Sequence, residues 1–453
     1  MKIESPTELI GKRILSEAND LKRTVRSLSK EIDIDEKLMK KIIKGDCEIE
    51  DSYDIIKRMG SIYSIDISNL YLIEDDCTNG VKIMRAVESK KSSRVFKRIN
   101  KDSKKTPYYE YFDTAMSKIG PFKPEWIRQL RFVKDSDPYN PDVAYNNGHF
   151  LHQTTFFVGP VNFYWEVNGK KFCQEMNTGD SNYITPYWPH SFATRNPNED
   201  AYILAITFGG DVSIAQKELY TLGNRAKNYI IDYRNHNKGI RQLIRQHMMN
   251  ESLTINHVVD IAKNKSKKID FKKLMDDNTK ISIKELEVIA SLLSIELDDL
   301  IIPKYKPEDE VAIKFKNNNN KYAFPDEKTH SYNINPLARI SKMPLVKGFE
   351  IEILSNKPNK DLITSLHTYI CNYEDSDLDF FWEYQGSTYT EKIRKFDSIY
   401  IQPFIKHGFS CKNADGKIFL VRVSGKMNLS AQKEFSYMAN VERVFNETKC
   451  WFD

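Results

Sequence analysis

The sequence predicts an α+β chain built as a tandem duplication, each half a helix-turn-helix-like helical unit followed by a β-rich unit of jelly-roll type. Three observations carry that expectation. "FYWEVNG" (Phe163–Gly169) returns as "FFWEYQG" (Phe380–Gly386), displaced by 217 residues. The same displacement carries "DSNYITPYWPH" (Asp180–His190) onto "DSIYIQPFIKH" (Asp397–His407). Upstream, "MGSIYSIDISNLYL" (Met59–Leu72) echoes "IASLLSIELDDLII" (Ile289–Ile302), displaced by 230. Matches that stay in register along both halves mark an internal repeat. They divide the chain into a helical unit (1–75), a β-rich unit (76–211), a linker helix with a second helical unit (212–303) and a second β-rich unit (304–453).

In the first helical unit Val25, Leu28 and Ile32 keep helical spacing, and Leu38, Ile42 and Ile43 do so again after the turn at Asp33–Asp35. Asp66 and Ser68 offer capping oxygens near its end. The order of segments is that of a phage-repressor helix-turn-helix, whose second helix, "DEKLMKKIIKGD", turns Lys37, Lys40, Lys41 and Lys44 outward. Such a coat could meet phosphate, but lysines cover ordinary solvated helices as well. The β-rich units read as short alternating strands broken by turn signals, the Asn168-Gly169 pair marking a tight hairpin. Strands without intervening helices imply an antiparallel barrel or sandwich. Between the halves, Val212–Met249 reads as mainly helical, and Lys316–Lys321 as a polar loop.

Composition narrows the function classes. Of 453 residues, 40% are hydrophobic and 29% charged, the balance of a soluble globular protein with room for several cores. Lys plus Arg exceed Asp plus Glu by 68 to 63, and a net charge of +5 on so long a chain is too mild to argue by itself for nucleic acid or membrane, suggesting at most local basic sites. The six cysteines are scattered, without a CxxC pair, and are expected as reduced thiols in a cytoplasmic protein. Apolar runs such as Ala201–Phe208 are far shorter than the ~18 residues of a membrane span.

The chemistry concentrates in "YNNGHFLHQTTF" (Tyr145–Phe156) and in "YWPHSF" (Tyr187–Phe192). If the first stretch is a strand, His149, Leu151 and Gln153 share one face while His152 points to the other. His149 and Gln153 can then reach one point, and His190 can join them from a neighbouring strand. Strand-built iron sites commonly pair two histidines with a carboxylate, which is missing here. Each histidine could equally be a hydrogen-bonded core residue. In the second half His407 matches His190, and the 217-residue displacement sets Leu366 and Ile370 against His149 and Gln153. One working site, in the first half, is the expectation.

These residues carry a resemblance. A repressor-like helical unit joined to a barrel, with Asn146, Asn147, Gly148, His149, then Gln153, and later "WPHSF", resembles the iron-dependent phosphonate oxygenases over nearly the whole chain. The resemblance implies that each β-rich unit is a cupin and that Fe(II) is held by His149, Gln153 and His190. Epoxidising members place Glu where this chain has Gln153. The dioxygenase members take Glu from six residues before the last histidine, where this chain has Ile184. With both carboxylates absent, the pattern is similar to the members that form methylphosphonate. The implied reaction is O2-dependent carbon–carbon cleavage of 2-hydroxyethylphosphonate to methylphosphonate plus carbon dioxide or bicarbonate. The resemblance further implies that Asn146, Tyr111 (in "YYEY", Tyr108–Tyr111) and Arg98, with Arg94 as the alternative, bind the phosphonate beside His190. It also implies that Lys22 reaches the site from the helical unit, and that apolar Ile184 shields the reacting carbon.

Two other readings remain open from the sequence. One is the dioxygenase reaction, giving hydroxymethylphosphonate and formate. The other is a transcription regulator with a barrel sensor, against which the mild net charge counts; DNA is not the expected partner. A homo-oligomer is compatible with the sequence, and no membrane contact is expected.

Overall fold

A computed structural model describes residues 5–72, 75–276, 279–306, 310–316, 321–328, 330–413 and 415–444; the asparagine run 317–320 of the expected polar loop lies outside them. Helices Pro6–Asp20, Val25–Glu31, Glu36–Lys44, Ile49–Ile62 and Ile67–Leu70 form the first helical unit. Side-chain caps start several of them: Ser5 accepts from the Glu8 amide, Thr24 from Ser27, Asp35 from Lys37 and Leu38, and Asp66 from Ser68. Ile10, Ile14, Leu28, Met39, Ile42 and Ile56 build their shared core. The expected apolar face of helix Glu36–Lys44 shifts by one residue, because Met39 is buried while Leu38 is 40% exposed. Lys37, Lys40, Lys41 and Lys44 face solvent as expected. A second helical unit follows the linker, with helices His236–Asn250, Ile255–Asn264, Phe271–Leu274 and Ile283–Leu293 around Ile244, Val258, Phe271 and Ile289. No helix among the described residues is long and apolar enough to cross a membrane.

The strands form two seven-stranded antiparallel sheets, each accompanied by a three-stranded sheet. The first seven-stranded sheet runs, edge to edge, Val311–Lys314, Ser181–Ile184, His152–Val158, Tyr202–Phe208, Phe122–Gln129, Lys105–Asp113 and Arg94–Ile99. The second runs Val81–Met84, Ser398–Ile401, His367–Asn372, Gly416–Val423, Val346–Ile353, Tyr332–Pro336 and Tyr322–Phe324. Both follow the same strand order. Each three-stranded sheet centres on a repeat stretch, Val161–Val167 or Leu378–Tyr384. The Asn168-Gly169 hairpin forms as expected, both residues in the left-handed region at φ 52° and 78°, which suits a tight two-residue turn.

The edge strands are exchanged. Val81–Met84, assigned by the sequence to the first β-rich unit, pairs with Ser398–Ile401 of the second, and Val311–Lys314 pairs with Ser181–Ile184 of the first. The two large sheets also share a core, in which Phe156, Tyr183, Leu204 and Phe208 pack with Tyr369, Tyr400, Phe419 and Val421. The opposite faces enclose separate interiors, one around Phe157, Phe163 and Ile203, the other around Ile370, Phe380 and Leu420.

Register also corrects the expected correspondence between halves. Gln153 lies opposite Ile184, and Ile401, the repeat partner of Ile184, lies opposite Thr368. The structural counterparts of His149 and Gln153 are therefore Thr364 and Thr368 rather than Leu366 and Ile370. The turn after this strand is longer in the second half, so the displacement that aligns the later strands misaligns this one.

Candidate metal centre

His149 precedes the strand that begins at His152. Strand alternation therefore does not aim it; a loop does. Gly148 is in the left-handed region at φ 71°, and the His149 carbonyl accepts from the Tyr187 amide at 2.8 Å. Gln153 lies on the inward face of its strand, and His190 opens the strand His190–Thr194, across the interior. The two imidazole rings stand perpendicular, with centroids 5.1 Å apart. His152 turns to the opposite face as expected, meets the Tyr183 hydroxyl at 3.0 Å and stacks on Phe208.

Hydrogen bonds assign the free atoms. The Nδ1–H of His149 donates to the Leu151 carbonyl at 2.8 Å, and that of His190 to the Trp188 carbonyl at 2.9 Å. Each Nε2 is left with a lone pair, and that of His190 accepts from Asn146 Nδ2 at 3.1 Å. The Gln153 Nε2–H donates to Thr155 Oγ1 at 2.9 Å, which turns Oε1 toward His149 Nε2, 3.2 Å away. Two acceptors face each other across that gap with no proton to share. A cation relieves such a contact, and two imidazoles with an amide oxygen suit a divalent transition metal. Burial holds the His190 imidazole down at about 4, so it is neutral and able to ligate at ordinary pH.

Ile184 is fully buried directly opposite Gln153, so the position at which a carboxylate could complete a different ligand set carries a sec-butyl group. Asn146 Oδ1 accepts from the Gly148 and His190 amides, both at 2.9 Å, and this aims Nδ2 at His190 Nε2, 3.1 Å away. Tyr111 lies on Lys105–Asp113, in the same seven-stranded sheet as Gln153, its hydroxyl pushed up to about 12 by burial and by Glu125, against the pull of Arg98 and Arg94. Both arginines sit on the exposed edge strand Arg94–Ile99. Arg94 pairs with Asp113 at 2.8 Å, while among the described residues Arg98 pairs with no carboxylate. Lys22 is exposed in the turn after the first helix, at φ 58°, and its ammonium donates to the Asn19 carbonyl at 3.4 Å.

No known family profile matches the chain. A methylphosphonate synthase of Nitrosopumilus maritimus (strain SCM1) is 36% identical to it over 456 residues, covering 98% of this chain and 95% of the relative. The chain belongs to the methylphosphonate synthase family. Among solved structures, the dioxygenase HEPD of Streptomyces albus, with 2-hydroxyethylphosphonate and Fe(II) bound, matches at TM-score 0.89 and 29% identity over 99% of both chains. A 2-hydroxyethylphosphonate dioxygenase variant, 16% identical, has a TM-score of 0.73 over 98% of this chain and 100% of that one, a likeness of fold alone.

In this member of the methylphosphonate synthase family two further parts of the site escaped the sequence reading. Thr155, fully buried, orients the Gln153 amide; it lies two residues along the same strand face, so alternation could have found it. Ser191 shares hydrogen bonds with the Tyr108 and Tyr109 hydroxyls at 2.8 and 3.2 Å, and the Tyr109 hydroxyl accepts from the Phe192 amide. This network braces the strand carrying His190, and no local sequence pattern signals it.

Proposed function

We propose that this chain is a non-haem Fe(II), O2-dependent enzyme that cleaves the carbon–carbon bond of 2-hydroxyethylphosphonate to give methylphosphonate and carbon dioxide or bicarbonate. The observation that carries the reading is the approach of the His149 and His190 imidazoles and the neutral Gln153 amide, with apolar Ile184 opposite the glutamine. Bound by these three, Fe(II) supplies the O2 chemistry. The protein holds the substrate. Arg98, Tyr111 and Asn146 offer a guanidinium, a hydroxyl and an amide to an anion with three acceptor oxygens, a set that makes charge-assisted hydrogen bonds. Burial keeps the Tyr111 hydroxyl protonated, so it donates. Arg98 fits this role better than Arg94, whose guanidinium is held by Asp113.

Ile184 excludes water and hydroxyl donors from the wall beside Gln153 and so favours release of an unhydroxylated methyl group. With Ile184→Ala, hydroxymethylphosphonate should join the products; a variant that still makes methylphosphonate alone would remove that role from Ile184. Lys22 extends this reading to the helical unit, which closes over the site as a lid and presents its ammonium to the phosphonate. The common strand order supports descent of the two halves by duplication, each a repressor-like helical unit with a cupin barrel, the second barrel lacking the ligand set.

Anaerobic reconstitution with Fe(II), addition of 2-hydroxyethylphosphonate and O2, and phosphorus NMR of the products test the proposal. Methylphosphonate is expected. Hydroxymethylphosphonate would make the chain a dioxygenase. No turnover with iron bound, together with salt-dependent binding to duplex DNA, would restore the regulator reading.

A further inference from the structure

The second barrel has kept a polar floor where its counterpart carries the metal ligands. His407 is fully buried, and its Nδ1–H donates to the Ile405 carbonyl at 2.8 Å, the same arrangement as His190. Its Nε2 lone pair thus points inward, and among the described residues that atom has no hydrogen-bond partner. Thr368, the counterpart of Gln153, is also fully buried, and its Oγ1 is without a partner. Buried polar atoms are rarely left unsatisfied, because each gives up its hydrogen bonds to water without a replacement.

A third group answers these two. Arg422 lies opposite Thr368 on one side and opposite Lys347 on the other, so the three side chains share a sheet face. It is the barrel interior, since Ile370, Leu420 and Phe349, two residues along each strand, belong to the second barrel's core. The Arg422 guanidinium stands over the Phe349 ring, 5.7 Å from its centroid, and its Nε is buried without a partner. Among the described residues neither Arg422 nor Lys347 has an ion pair. Burial weakens the protonated form of both, and the Arg422 charge acts on His407. In the first barrel the residue opposite Gln153 at this point is Thr207. The second barrel therefore holds a fixed cation where the first has Thr207, and it repels a metal ion while attracting an anion.

We propose that the second barrel binds a small tetrahedral oxyanion that carries an O–H, inorganic hydrogen phosphate being the simplest case. The O–H donates to His407 Nε2, Thr368 Oγ1 hydrogen-bonds a second oxygen, and the charged oxygens meet Arg422 and Lys347. A phosphate without a proton would face the imidazole lone pair unfavourably, so the ligand class needs both the charge and the donor. The inference uses only second-half residues and stands whether or not the first half binds iron.

Calorimetric titration of the full chain with inorganic phosphate tests it. Two phosphates per chain are expected, one in each half. Arg422→Gln should weaken one of them about tenfold or more and Arg98→Gln the other. A folded Arg422→Gln protein, judged by circular dichroism and melting temperature, that titrates like wild type would overturn the proposal, as would a wild-type chain that binds phosphate only where Arg98→Gln abolishes it. If Arg422→Gln fails to fold, Thr368→Val decides: it keeps the shape and removes the hydroxyl, and unchanged second-half affinity would reject the site. Repeating the titration with 2-hydroxyethylphosphonate identifies the source, since displacement of the second phosphate makes the ligand a hydroxyalkylphosphonate and failure to displace it leaves free phosphate. An unchanged titration for Arg98→Gln counts against the phosphonate role of the first half and not against this site.

Discussion

Gln153 has two chemically different ends, and only its oxygen is of use to a cation. Thr155 takes the amide nitrogen at 2.9 Å and so selects the oxygen for the centre. Groups that orient metal ligands from behind typically control affinity 10–100-fold when removed. Thr155→Val, nearly isosteric, should therefore leave the fold intact and weaken Fe(II) by about 10- to 100-fold. Anaerobic competition against a chromophoric chelator measures this, and unchanged affinity would show that Thr155 does not set the amide's orientation. The same scale explains Ile184. A carboxylate there would face Gln153 directly across two paired strands, adding negative charge to a neutral ligand set.

At the scale of elements, the site depends on how a loop enters a strand. His149 is brought to Gln153 by the turn at Gly148, which packs against Tyr187. A Cβ at Gly148 would lie 2.4 Å from the Tyr187 carbonyl carbon, and the φ of 71° disfavours any L side chain. Gly148→Ala should displace the loop and with it the first ligand. Iron stoichiometry is expected to fall well below one per chain, while the melting temperature changes by only a few degrees, since the strands behind the loop are untouched. Full iron loading in that variant would mean that the loop can carry His149 to the metal by another path. Asn146 works in the same loop. Its two accepted backbone hydrogen bonds join the loop to His190, so one residue both links the ligand-bearing segments and aims a donor at the centre.

The whole molecule is held as one unit by exchange. The first sheet takes its edge strand, Val311–Lys314, from the second half, and this strand covers Ser181–Ile184, which carries Ile184. The aromatic core between the large sheets draws on both halves as well. A chain ending at residue 303 would expose a sheet edge and an apolar face together, the condition that favours aggregation. It is expected to lack near-ultraviolet circular dichroism of a packed core and to bind no iron stoichiometrically. A soluble 1–303 chain that bound iron normally would show that the exchanged strand is dispensable.

By itself the sequence determined the mixed helix-and-sheet class, the hairpin at Asn168-Gly169 and the residue types that meet at the candidate centre, because these depend on local spacing and turn chemistry. It also set His152 and Gln153 on opposite faces by strand alternation, whereas His149 lies before the strand and is placed by its loop. Only the tertiary structure decided the exchanged edge strands, since pairing partners far apart in the chain leave no local periodicity. It decided too that Thr364 and Thr368 are the second-half counterparts of His149 and Gln153, because a longer turn shifts register without changing composition. The alignment of Arg422 with Thr368 and Lys347 required three strands to be laid side by side.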